Sequence, residues 1–164
     1  MAESVRVGIT GHLDLTVSTE RAIVVALRRH LLARGGPGDL VGFTCMARGA
    51  DSLFAQALIE LGGRLEIIIP SADYRQSQVT ADHEPVFSEM LDRADAVHQM
   101  PAARAAAEAY AAANRLLLAS IDELVAVWDG GLDGPVGGTV DVVRTARACG
   151  IPVTVIWPEG AERR

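Results

Sequence analysis

Six short apolar runs alternate with stretches of helical character along this 164-residue chain, and that alternation limits the available folds more than any single motif. Val5 to Ile9 runs into the turn Thr10-Gly11-His12. Leu40 to Thr44, Leu65 to Ile69, Ala96 to Met100, Leu124 to Trp128 and Pro152 to Trp157 complete the set of strand candidates. Between them lie helical segments. One is capped by Ser18 or Thr19 and ends at Ala33, with Ile23, Ala26, Leu27 and Leu31 as its apolar stripe. Others span Ala50 to Leu61, Pro85 to about Asp95, Ala102 to Ile121 and Val140 to Cys149. Pro70 to Asp82 is expected to be an irregular loop. The expected architecture is α/β: a single Rossmann-like domain over residues 1–158, with a parallel sheet of about six strands in the order 3-2-1-4-5-6, helices on both faces, and residues 159–164 as a polar tail. A ligand of such a sheet sits beyond the carboxyl ends of the strands, so the loops after Ile9, Thr44, Ile69, Gln99 and Trp128 are the ones to inspect.

The loop after Trp128 is the most unusual. Asp129-Gly130-Gly131-Leu132-Asp133-Gly134-Pro135-Val136-Gly137-Gly138-Thr139 holds five glycines, too many for a strand or a helix interior. A strand that enters such a loop and leaves through a helix N-terminus offers bare N–H groups and a positive dipole end to an anion. Thr139 is the expected N-cap, and Asp129 at the strand end is placed to bond a ribose hydroxyl or merely to start the turn.

Composition removes several classes of function. All fifteen basic residues are arginine, so no Walker lysine and no Schiff base can form. A net charge of −6, a pI of about 5.1 and 4% aromatic residues argue against a nucleic-acid partner. No apolar run approaches the ~20 residues of a membrane span, and the segment from Met1 to Ser4 lacks the basic start of a secretory leader, so a cytoplasmic protein is expected. Cys45 and Cys149 form no C-x-x-C and are expected to be reduced, buried thiols. His83 and Glu84 are neighbours without further ligands, so no metal is expected, and no cofactor either.

Two stretches carry a family resemblance. Thr44-Cys45-Met46-Ala47-Arg48-Gly49-Ala50-Asp51, with Leu53, Ala55 and Ala57-Leu58 behind it, resembles the S-G-x-A-R-G-x-D segment of the DNA-processing Smf proteins. Gly137-Gly138-Thr139, Ala146 and Gly150-Ile151-Pro152-Val153 resemble the Gly-Gly-Thr loop, helix and last strand of the Smf/DprA–Lonely Guy (SLOG) superfamily of Rossmann-like nucleotide-binding domains. Thr10-Gly11-His12 fits that family's first-strand turn, and the resemblance covers nearly the whole chain. It implies a phosphorylated ligand, such as AMP or an ADP-ribose derivative, held by Arg48, Gly49, Asp51, Gly130, Gly137, Gly138 and Thr139, with Thr10, Gly11, His12 and Asp129 on the other side. It also implies a homodimer, for which the alanine-rich helix from Ala102 offers a close-packing face.

The residues support these roles physically. Arg48 stands at a strand end before a helix start, where its fork suits phosphate, and Asp51 can accept backbone N–H bonds or orient Arg48. His12 can donate to phosphate or act as an acid or base near neutrality. Tyr74, Tyr110 and Asn114 are candidate base or ribose contacts, Tyr110 and Asn114 being i, i+4 on one helix face. The chain departs from the Lonely Guy phosphoribohydrolases, whose P-G-G-x-G-T-x-x-E loop ends in the catalytic glutamate. That position here is Val142, and the nearest acid, Asp141, is about 100° away around the helix. The M-x-x-R-K segment of those enzymes is met by Met100-Pro101-Ala102-Ala103-Arg104, with no lysine.

Three functions follow. The first is binding of a nucleotide-derived small molecule, as sensor or carrier. The alternative is a nucleoside 5′-monophosphate phosphoribohydrolase using Asp141, and the weaker alternative a single-stranded DNA-binding accessory protein like DprA.

Overall fold

The computed structural model describes residues 3–164; Met1 and Ala2, which open the segment considered for a leader, lie outside the described residues. Six strands form one parallel sheet: β1 (Val5–Gly11), β2 (Leu40–Thr44), β3 (Arg64–Ile69), β4 (Ala96–Gln99), β5 (Glu123–Val127) and β6 (Val153–Ile156). The helices are α1 (Val17–Arg34), α2 (Ala50–Glu60), α3 (Tyr74–Gln78), α4 (Glu84–Arg93), α5 (Ala107–Ser120) and α6 (Thr139–Ala148).

Side chains alternate across the sheet as the pleat requires. Val7, Ile9, Leu65, Ile67, Val125 and Val127 join a core with α1, α2 and α4. On the other face Val41, Phe43, Ile68 and Leu124 pack with Ala113 and Leu117 of α5 and with Val142 and Ala146 of α6. Gly42 lets α2 settle on β2: a Cβ there would lie 2.3 Å from a Leu58 methyl.

The strand order is β4-β3-β2-β1-β5-β6. It keeps the β3-β2-β1 run of the Rossmann-like expectation and the reversal beyond β1. Strand β4, expected beside β1, lies outside β3, and β5 takes the place next to β1. The reason is burial. A neighbour of β1 is covered on both faces, which suits Leu124-Val125-Ala126-Val127; Ala96-Val97-His98-Gln99 is short and half polar and suits an edge. The sheet order reverses between β1 and β5, where two loops diverge and leave a crevice.

Local chemistry departs from the sequence expectations in six places. Thr16, not Ser18 or Thr19, caps α1, its hydroxyl accepting the Thr19 N–H. The loop 70–82 contains α3. Helix α5 starts at Ala107 rather than Ala102, because main-chain groups of 102–105 bond to Ala72 and Asp73. The N-cap of α6 is Gly138, so Thr139 is already in the first turn and caps nothing. Both cysteines are free, but Cys149 is exposed rather than buried. Residues 159–164 do not project as a tail. Arg163 forms an antiparallel bridge with Leu15, and the Arg164 N–H donates to the Asp14 carbonyl. Among the described residues no helix is long and apolar enough to cross a membrane.

Candidate functional site

At the carboxyl ends of the strands, over the β1/β5 reversal, lies a cavity of about 410 Å³. Thr10, Gly11 and His12 come to it from the end of β1, Arg48 and Asp51 from the β2–α2 connection, and Gly137, Gly138 and Thr139 from the start of α6. Tyr74 of α3 and Tyr110 and Asn114 of α5 also line it. Arg48 and the Gly137–Thr139 segment therefore share one receptacle. Gly49, Asp129, Gly130 and Asp141 are absent from its lining.

Two of those four serve the walls. Gly49 caps α2 at φ +81, and a Cβ there would lie 2.4 Å from the Leu13 carbonyl oxygen and 2.5 Å from that of His12. Only glycine lets the β1 and β2 loops touch this closely. The Ala50 N–H donates to the His12 carbonyl and closes the seam. Asp141 accepts the Gly137 N–H at 2.8 Å and faces Arg144, so it staples the glycine loop instead of facing the cavity. Its neighbour Val142, at the family's glutamate position, is buried in the core beneath α5. Gly130 is open to solvent.

Arg48 is oriented by Asp14, not by Asp51. Its Nε and Nη2 donate to the two Asp14 oxygens at 3.0 and 3.2 Å, a side-on fork that holds the Asp14 carboxyl below its usual range. Asp51 lies 8% exposed beneath the loop. It accepts the Ala47 N–H at 3.2 Å and bonds with the Thr44 hydroxyl and the Cys45 main chain, yet burial outweighs these and pushes its carboxyl up to about 7. Met46, between the two, holds a left-handed φ of 56, fixed by its N–H to Thr44 Oγ1 and by His83 Nε2 on its carbonyl.

On the β5 side, the Asp129 N–H donates to His12 Nε2 at 3.1 Å, and Asp129 Oδ1 lies 3.1 Å from the same nitrogen. Burial holds the His12 pKa below its ordinary value despite the neighbouring Asp129 carboxylate, and the Trp157 ring meets the imidazole edge-on at 5.5 Å. Asn114 donates to the Gly137 carbonyl at 3.0 Å, tying α5 to the glycine loop. Tyr74 packs against Phe87 and Tyr110, with ring centroids 6.1 and 6.4 Å away, which leaves it buried with its phenol pKa raised. Arg104 does not reach the cavity. Among the described residues no cluster of three or more histidine, cysteine, aspartate or glutamate side chains is placed to hold a metal ion.

The sequence reading missed Arg163, which lines the cavity from the far end of the chain, and Gln78 and Val79 around α3. Nothing local to Glu162-Arg163-Arg164 signals this return. Trp157, an aromatic just past the last strand, was the available hint.

The class these features define is a Rossmann-like α/β domain with its crevice at the reversal of the sheet. No family model matches the chain, and no curated protein does. Among the solved structures that share its fold are three that differ widely in their own length. DNA processing protein A (DprA) from Streptococcus pneumoniae superposes with a TM-score of 0.68 at 14% identity over 96% of this chain. The chain spans about half of that protein, 52% of its length. The Moco carrier protein from Chlamydomonas reinhardtii gives 0.59 at 18% identity, covering 96% of this chain and 80% of the carrier. TM1055, a structural-genomics target, gives 0.58 at 20% identity over 91% and 72% of the two chains.

Proposed function

We propose that this domain binds a nucleotide or nucleotide-derived phosphorylated small molecule in the cavity over β1 and β5, as a sensor or carrier. The observation that carries the reading is the meeting, around one cavity, of an α6 N-terminus that no side chain caps with the anchored guanidinium of Arg48. Free first-turn amides and a fixed fork are complementary to phosphate, while Tyr74, Tyr110 and Val140 offer the ligand's remainder an apolar wall. The likeness of fold to a protein titled a Moco carrier is consistent with a carrier role. A homodimer through the outer, alanine-rich face of α5 belongs to the same reading and is tested by sedimentation.

Thermal-shift titration with AMP, ADP-ribose, NAD and cyclic nucleotides tests the proposal, together with mass spectrometry of whatever co-purifies. At least one nucleotide is expected to raise the melting temperature, and Arg48→Ala to abolish the shift. No shift with any of them, and no co-purifying phosphorylated molecule, overturns it.

One observation favours a second, hydrolytic reading. Asp51 lines the cavity, and burial keeps it partly protonated near neutrality, as a general acid needs. Base release from AMP that is lost in Asp51→Asn and kept in Asp141→Asn would establish that activity on Asp51; no release from any nucleoside monophosphate removes it.

A further inference from the structure

Residues 157–164 turn back across the loop that follows β1 and are tied to it at several points. The Thr16 N–H donates to the Glu162 carbonyl at 3.3 Å, the Glu162 N–H to Thr19 Oγ1 at 2.8 Å, and the Arg164 N–H to the Asp14 carbonyl at 2.9 Å. Leu15, fully buried, is bridged to Arg163. This strap delivers the Arg163 side chain to the cavity.

The two arginines there are held differently. Arg48 spends two of its five N–H donors on Asp14 and keeps three for another partner. Arg163 Nη1 stands 3.7 Å from Asp129 Oδ2, attracted but beyond hydrogen-bonding distance. Asp129 already accepts the Gly131 N–H on its other oxygen. So Arg163 is half-exposed, fixed at its backbone and loosely paired at its head, and it can turn to an incoming anion at little cost. Asp14 and Asp129 offset the two positive charges, so an anion is selected by directed N–H donors more than by the net field.

We infer that Arg163 is a second anion-binding residue of this site and that the ligand carries two anionic groups, a diphosphate or two separate phosphates, rather than one monophosphate. The inference rests on the phosphate-binding reading above and narrows its ligand class. Arg48 and the α6 amides hold one group, and Arg163 the other.

Calorimetric titration of the full chain with AMP, ADP and ADP-ribose decides it, comparing the native protein with Arg48→Ala, Arg163→Ala and Arg163→Lys. ADP or ADP-ribose is expected to bind at least about tenfold more tightly than AMP. Arg163→Ala is expected to lose about tenfold in affinity for the diphosphates and less than about twofold for AMP, and Arg163→Lys to restore only part, since an ammonium lacks the planar fork. Melting temperatures within about 3 °C of the native protein show that the strap stays docked; should Arg163→Ala melt lower, the diphosphate-to-AMP affinity ratio of Arg163→Lys decides instead. Unchanged diphosphate binding in Arg163→Ala, with binding lost in Arg48→Ala, overturns this inference and leaves the phosphate site standing. Equal losses for AMP and ADP also overturn it. No binding of any nucleotide to the native protein removes both.

Discussion

The cavity has two walls that begin alike and end differently. Each is a loop leaving a buried strand and entering a helix through a glycine N-cap with no side chain capping it: Gly49 before α2 and Gly138 before α6. The β2–α2 wall is built into the core. Thr44, Met46 and Asp51 are buried in it, and Gly49 is pressed against the carbonyls of the β1 loop. The β5–α6 wall lies on the surface, with Leu132 and Val136 more than two-thirds exposed, and is held by a few stitches from Asn114, Asp141 and the Trp128 indole. One wall fixes geometry; the other can adapt to what it meets. A site for a flexible phosphorylated ligand gains from both, since a rigid anchor limits the entropy lost on binding while a loose rim admits the rest of the molecule.

The sharpest way to break this contrast is Gly49→Ala. A side chain at φ +81 facing carbonyl oxygens at 2.4 and 2.5 Å should cost about 3–5 kcal/mol, read as a drop in urea midpoint. A loss below about 1 kcal/mol would mean that the supposedly rigid wall yields.

Next in size is a pH effect confined to the buried wall. Asp51 holds its proton in the folded state up to about 7, against 3.8 for the ordinary group. The folded state therefore binds more protons across that window. Stability from this group is fully present below it and is lost as pH rises through it. Asp51→Asn should flatten the fall in melting temperature between pH 5 and 8 by an amount on the order of 2 kcal/mol. An identical slope in the variant would place the titration elsewhere.

How legible all this was in the sequence differs along the same line. Strand positions, the start of α2 and the grouping of Arg48 with Gly137–Thr139 follow from local patterns: β-branched runs, a Gly-rich link, an arginine at a strand end. What escaped depends on contacts far apart in the chain. Asp14 orients Arg48 across 34 residues, and Asn114 reaches Gly137 across 23. The late start of α5 and the capping of α1 by Thr16 were settled by hydrogen bonds that compete with helix propensity, to Asp73 in one case and to the residue 162 strap in the other. Asp141 sits one residue and about 100° from the glutamate position of the resemblance, and that turn carries its carboxylate onto the Gly137 amide, a contact that only the folded loop reveals.

The smaller tests probe the adaptable wall. Asn114→Ala removes one stitch and should cost about 1 kcal/mol of stability. Its larger consequence should be weaker nucleotide binding, measured by the same titration, because the Gly137 turn loses its tie to α5. Gly134→Ala is the smallest: the nearest neighbour of an added Cβ is a Val140 methyl 3.7 Å away and no left-handed φ is required, so it should stabilise by about 0.5 kcal/mol. Destabilisation there would show that this rim is fixed after all.

The strap formed by residues 157–164 has one more consequence, for how the protein is made. β1 and the loop behind it are synthesised well before their partners at Glu162 to Arg164, across the 143-residue span from Thr19 to Glu162. A nascent chain can assemble the sheet as far as β5 while the cavity still lacks one side. A diphosphate should therefore be gripped at both of its groups only after residues 157–164 have been made and have docked on the loop behind β1.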